Sequence, residues 1–198
     1  MADPKSPEPA PLRAADKIRR TARELFYRDG IRAVGVDEIV ARAGVTKPSL
    51  YRTYRSKDDL AVAVLQESDE MFWGYFNEAI DAHPGDARAQ LLAFFASLAE
   101  RSIQKDYRGC ALSNAAVEYP QKGHIARATA QNHKSKLRQR LRDKARELGV
   151  VNPEGLGDAL LLLLEGAYLT TQLFDTGRPS AEVGRAAAAL IDAYRAAS

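Results

Sequence analysis

The chain has 198 residues, 45% of them apolar, with 29 Lys/Arg against 26 Asp/Glu and a net charge of +3. That length holds one domain or two small ones around a real core, and the single cysteine, Cys110, excludes an internal disulfide framework. No apolar run reaches the roughly 18 residues of a membrane span, and no apolar signal core opens the chain, which predicts a soluble, cytoplasmic protein with no membrane partner.

Helix formers dominate and no sustained period-two run of β-branched residues occurs, so the predicted fold class is all-α with about nine helices. Residues 1–12, with Pro4, Pro7, Pro9 and Pro11, predict a disordered tail. A DNA-binding domain is expected over 13–58 and a helical regulatory and dimerisation domain over 59–198. Charge divides the same way: residues 1–60 carry 13 Lys/Arg against 9 Asp/Glu, and the remainder 16 against 17. A basic head on a near-neutral body suits nucleic-acid binding coupled to a second function.

The first helix is predicted over 14–28, with Ile18, Ala22, Leu25 and Phe26 on one stripe and Asp29-Gly30 as its stop. The second, 36–43, turns Ile39, Val40 and Ala43 inward. Gly44 then supplies a left-handed turn residue, Thr46 an N-cap, and Pro48 a first-turn residue whose missing N–H breaks no hydrogen bond. In the short third helix Leu50 and Tyr54 lie one turn apart toward the core, leaving Pro48, Ser49, Tyr51, Arg52 and Arg55 outward. A face carrying hydroxyls, a ring and guanidinium groups fits a DNA major groove. Core packing is the competing reading for both tyrosines, preferred at Tyr54 and even at Tyr51.

Lys57-Asp58-Asp59 opens a long fourth helix that runs to an aromatic cluster of Phe72, Trp73, Tyr75 and Phe76. Breaks at His83-Pro84-Gly85, Arg108-Gly109, Pro120 and Asn152-Pro153 separate helices predicted over 86–104, 110–118, 124–148, 157–174 and 180–196. The 124–148 helix holds seven Lys/Arg between Lys134 and Arg146, scattered around it; a solvated face is the preferred reading, with an anionic ligand or second DNA contact as the alternative.

Gly30, Val36, Ile39, Ala43-Gly44-Val45, Pro48-Ser49-Leu50-Tyr51, Tyr54, Ser56-Lys57 and Leu60 together resemble the DNA-binding domain of the TetR family, the tetracycline-repressor-like bacterial transcription regulators. The resemblance covers residues 18–65 and implies a sequence-specific DNA-binding regulator, a homodimeric repressor on a near-palindromic operator, without enzymatic activity or a cofactor. It implies that Thr46 caps and meets a phosphate, and that Lys47, Ser49 and Arg52 face base edges. Pro48 would pack on a thymine methyl, Tyr51 on the backbone, and Lys57 would anchor a phosphate. Gly35 stands where relatives often carry a capping Thr or Ser, and Arg52-Thr53 where an aromatic or His is common, so operator contacts at Arg52 and Thr53 are this chain's own.

The resemblance further implies a small-molecule effector and a dimer built from the last two helices. The sequence supports the dimer separately: Val183, Ala187, Leu190, Ile191 and Tyr194 form one stripe, and the Leu160–Leu164 run is apolar around the whole helix. For an apolar or aromatic effector the candidate walls are Phe72, Trp73, Phe76, Phe94, Phe95 and Tyr168, with Cys110, Asn114, Glu118 and Gln172 as polar points; ordinary core or surface is the alternative for each. A second regulatory reading makes Cys110 a thiol-based redox or electrophile sensor, its pKa lowered by Arg108 and a helix N-terminus, against a buried small hydrophobe. The rival class, a helical enzyme, finds little support: His83, His124 and His133 are not paired at helical spacing, and no phosphate loop or nucleophile motif appears.

Overall fold

The computed structural model describes residues 13–197, so the tail expected over 1–12 lies outside the described residues. These form nine α-helices and no strand: α1 (Ala14–Asp29), α2 (Val36–Ala43), α3 (Lys47–Thr53), α4 (Lys57–Asp81), α5 (Ala87–Ser102), α6 (Ala111–Glu118), α7 (Ile125–Glu147), α8 (Pro153–Leu173) and α9 (Val183–Ala196). Among them no helix is long and apolar enough to cross a membrane.

Local chemistry explains most of the boundaries. Thr46, Ser56, Asp86 and Asn152 each accept a backbone N–H at the start of α3, α4, α5 and α8, satisfying donors that a helix leaves free. Gly44 ends α2 at φ 63°, a left-handed conformation that costs glycine little. α8 begins at Pro153 rather than Gly157, because Asn152 Oδ1 accepts from Gly155 N at 2.9 Å and Pro153 fits a first turn. Gly157 is a contact residue, not a breaker: a Cβ there would lie 2.8 Å from the Arg142 backbone of α7. At the other end a short 3-10 turn, Pro179–Glu182, precedes α9, which starts at Val183 rather than at Ser180.

In the head, Ile18, Ala22 and Leu25 of α1, Ile39 of α2 and Leu50 of α3 are all buried, and they close on Leu60 and Ala61 at the start of α4. The body packs Phe76, Phe94, Phe95, Leu98, Leu137, Leu141, Leu160, Leu164 and Ile191 into the same continuous core. α4 belongs to both, so head and body share a rigid strut. Much of the basic charge of α7 is spent inside the body. Arg138 and Arg142 both fork onto Asp158 of α8 at 2.6–2.9 Å, Arg146 reaches Asp143 and Glu154, and Lys134 reaches Glu165 at 2.6 Å. Leu162, Leu169 and Leu173 leave an exposed apolar stripe along α8, 74%, 57% and 65% accessible.

Candidate nucleic-acid interface and effector cavity

α3 presents a short, rigid, outward face. Thr46 Oγ1 accepts from Ser49 N at 3.4 Å and lies 3.1 Å from Ser49 Oγ, which in turn accepts from Arg52 Nη2 at 3.1 Å. Lys47, Pro48, Tyr51, Arg52 and Thr53 are exposed, with the Tyr51 ring 49% accessible, while Leu50 is fully buried beneath them. Tyr54, the C-cap of α3, is half-buried against the core. Lys47 Nζ pairs with Asp37 Oδ1 at 2.7 Å, a pair exposed on both sides and therefore easily exchanged for a phosphate or base. Lys57 Nζ donates to the Arg32 carbonyl at 3.3 Å, and partial burial lowers its pKa from the ordinary value. Gly35 starts α2 without a side-chain cap.

Besides the contact of Asp58 with His124 Nε2 at 3.4 Å, the head meets the body at two polar junctions. Glu118, at the end of α6, accepts from Arg32 N at 2.8 Å, and its carboxylate crowds Gly30, where a Cβ would lie only 3.2 Å away. At the second junction, Arg108 N–H donates to the Tyr27 hydroxyl at 2.7 Å, and that hydroxyl donates to the Gly109 carbonyl at 3.0 Å. The Arg108 guanidinium meanwhile caps the C-terminal carbonyls of Tyr27 and Arg28, where a cation also meets the negative end of the helix dipole. Gly109 is constrained on both counts: its φ is +70°, and a Cβ would fall 2.8 Å from the Tyr168 carbonyl.

Behind this second junction lies a cavity of about 480 Å³, a size that suits a small organic molecule. Phe26 of α1, Val64, Leu65 and Phe72 of α4, Leu112 of α6 and Tyr168 of α8 give it apolar walls, and Met71, Tyr75 and Lys105 stand at its exposed rim. Of the residues expected from sequence, Phe72, Cys110, Asn114, Glu118 and Tyr168 line it. Trp73, Phe76, Phe94, Phe95 and Gln172 do not. Phe76, Phe94 and Phe95 are fully buried in a chain of edge-to-face rings with centroids 5.0–5.3 Å apart, which joins α4 to α5 as plain core. Trp73 faces away to donate to Asp69 Oδ1 at 2.8 Å, and Gln172 is exposed, bonded to Asn114 and Arg108. Sequence reasoning missed Tyr27, Tyr107 and Met71 in the lining. α1 belongs to the DNA head by pattern, and no periodicity signals that one edge of it also walls a cavity.

Cys110 sits in that wall, 8% exposed. Burial raises its pKa, but the Lys134 charge, the neighbouring His133 and the Ser113 backbone N–H outweigh burial and lower it from 9.0 to about 7. The cation beside the thiol is Lys134, 3.5 Å from Sγ, and not Arg108, which is turned toward α1. His133 was not singled out by sequence; it lies one turn before Leu137 on the inward stripe of α7 and is 2% exposed.

The profile of bacterial regulatory proteins of the tetR family matches residues 18–64. Over 45 residues, 23% of this chain and 20% of the relative, the sequence is 53% identical to the transcriptional activator FasR of Mycolicibacterium smegmatis. Over 114 residues, 57% of this chain and 54% of the relative, it is 26% identical to the transcriptional repressor ComR of Escherichia coli. The chain thus spans about half or less of the curated relatives it matches. Among solved structures, a TetR-family transcriptional regulator from Streptomyces coelicolor superposes with a TM-score of 0.84 at 28% identity, covering 92% of this chain and 94% of that one.

Proposed function

Because the chain belongs to the TetR family of bacterial regulatory proteins, we propose that it is a homodimeric DNA-binding transcriptional repressor, released from a near-palindromic operator by a small apolar or aromatic effector held in the cavity. The observation that carries this reading is the Tyr27–Arg108–Gly109 junction, where one backbone turn is both cavity wall and clamp on α1 of the head. An occupant that displaces this turn tilts α1, and α3 moves with it through their shared core around Leu50 and Ile18. An effector acts only by its different affinity for the two head positions.

DNA contact is assigned to the exposed face of α3: Lys47, Ser49 and Arg52 at base edges, Pro48 at a thymine methyl, Thr46, Tyr51 and Lys57 at the backbone, and Thr53 within the same contact surface. The exposed stripe Leu162, Leu169 and Leu173 on α8 supports dimerisation, since a second copy would remove it from water, whereas Val183, Ala187 and Ile191 of the α9 stripe are already buried within the chain and are core. Two α3 helices related by a two-fold read half-sites about one helical turn, roughly 34 Å, apart or slightly more. Selection from random DNA followed by footprinting tests this. The expected product is a dyad-symmetric site bound by a dimer, with affinity that falls as salt rises. A site without dyad symmetry, or binding by a monomer, overturns the arrangement.

A further inference from the structure

We propose that Cys110 is a covalent acceptor site inside the cavity for a soft electrophile with an apolar body, an α,β-unsaturated carbonyl compound, with His133 as the group that takes and returns the thiol proton. Four observations meet at one point. Cys110 lines the cavity. Asp69 Oδ1 lies 2.5 Å from His133 Nδ1 and also accepts from Trp73 Nε1, which fixes the ring and places the Nδ1 proton toward the carboxylate. Nε2 is buried with no hydrogen-bond partner among the described residues, and in the neutral tautomer that donates Nδ1–H to Asp69 it is the free acceptor; His133 is close enough to Cys110 to help lower the thiol's pKa. Lys134 Nζ, held by Glu165 at 2.6 Å, lies 3.5 Å from Sγ and favours the thiolate.

This is the arrangement of an activated nucleophile: a thiol, a base beside it, and a carboxylate that orients the base. No motif announces it, because Cys110 precedes α6 while His133 and Asp69 come from α7 and α4. The tyrosines around the sulfur, Tyr27, Tyr107 and Tyr168, are all raised in pKa, first by burial, so they stay neutral and do not oppose the thiolate.

The chemistry closes without an oxidant. The sulfur lone pair forms an S–C bond to the β-carbon, and the C=C π pair moves toward the carbonyl to give an enolate. The proton that His133 Nε2 took from sulfur then goes to the α-carbon, leaving a thioether whose atoms are those of the thiol plus the enone. Oxidation to a disulfide within the chain has no second cysteine to complete it. Apolar walls around the sulfur select an electrophile with a hydrocarbon or aromatic body over a small polar one. The adduct grows from the residue next to Gly109, whose carbonyl holds Tyr27. Its effect on DNA rests on the preceding reading; its formation does not.

The probe is benzylideneacetone, with its saturated analogue benzylacetone as the non-covalent control, applied to the folded full-length protein and followed by intact mass and peptide mapping. One equivalent of benzylideneacetone should add at Cys110, at least roughly 10-fold faster than to free glutathione at the same pH. No adduct should form with Cys110→Ser. His133→Gln, which retains a neutral amide there, should slow capture by roughly 10-fold or more; Lys134→Met, at a partly exposed site, gives a second reduction should the histidine variant unfold. Capture no faster than by glutathione, or unchanged in folded His133→Gln and Lys134→Met proteins, overturns the proposal. If the adduct forms but DNA is never bound, the repressor reading fails and the covalent site stands. If benzylacetone releases DNA as well as the enone does, with no adduct formed by either, the cavity is an ordinary reversible site and the covalent proposal fails.

Discussion

The assigned DNA face comes entirely from residues 46–57, one capped turn and one short helix, whereas the cavity draws its walls from α1, α4, the end of α5 with the loop that follows it, α6 and α8. The first is a local object: Thr46, Pro48 and Leu50 set the helix, and what remains points outward by geometry. The second exists only after five distant segments meet. The difference shows in the side chains themselves. Arg52 and Tyr51 are exposed and make contacts within their own helix or none to the core, while Tyr27 and Cys110 each bind groups far away in sequence. A local surface tolerates change without loss of fold; a cavity shares its atoms with the core.

That contrast can be broken at several points, beginning with the largest effect. Phe94→Ala removes a fully buried ring from the edge-to-face chain and should destabilise the protein by about 3–5 kcal/mol. Effector affinity measured below the unfolding temperature should change little, since Phe94 does not line the cavity; a large loss of affinity would move that ring into the site. On the DNA side, Arg52→Ala should weaken the cognate operator by about 1–3 kcal/mol, with no change in melting temperature. Equal losses on cognate and random duplexes would reassign Arg52 to the phosphates.

Coupling between the two regions comes next. Tyr27→Phe keeps the ring in the wall but removes the hydroxyl that links Arg108 to Gly109. It should change effector-driven DNA release by about 0.5–2 kcal/mol while leaving operator affinity near wild type. If release in a titration of effector against bound operator is unchanged, the signal travels by another route, with the Glu118–Arg32 junction the next to examine. The smallest effect is expected at Lys57. Lys57→Ala should weaken every duplex alike and lower the slope of log affinity against log salt by about one. A sequence-dependent loss there would contradict a phosphate role.

Much of the head was legible before the structure. The turn at Gly44, the Thr46 cap, the burial of Leu50 and the outward face of α3 follow from short-range rules that tertiary packing had no reason to override. In the body, periodicity located every helix but misjudged Gly157 as a break, because the same missing Cβ that weakens a helix also lets α7 approach α8. Aromatic content gave the same signal for Phe72, which lines the cavity, as for Phe76, Phe94 and Phe95, which fill the core. Which ring faces a void depends on what the neighbouring helix supplies, and the one-dimensional pattern is silent on that.

The sequence by itself determined that this chain is all-α, that a basic head precedes a near-neutral body, and that one short helix carries donors on an open face. Those properties reside in residue type and spacing along a single segment. Only the tertiary structure decided that Tyr27 belongs to the cavity, that Arg108 turns to α1 while Lys134 attends the thiol, and that Asp69 of α4 pairs with His133 of α7. The physical reason is distance: electrostatic and hydrogen-bond partners act over a few ångströms, and these groups become neighbours only when α1, α4, α6, α7 and α8 bury a common core.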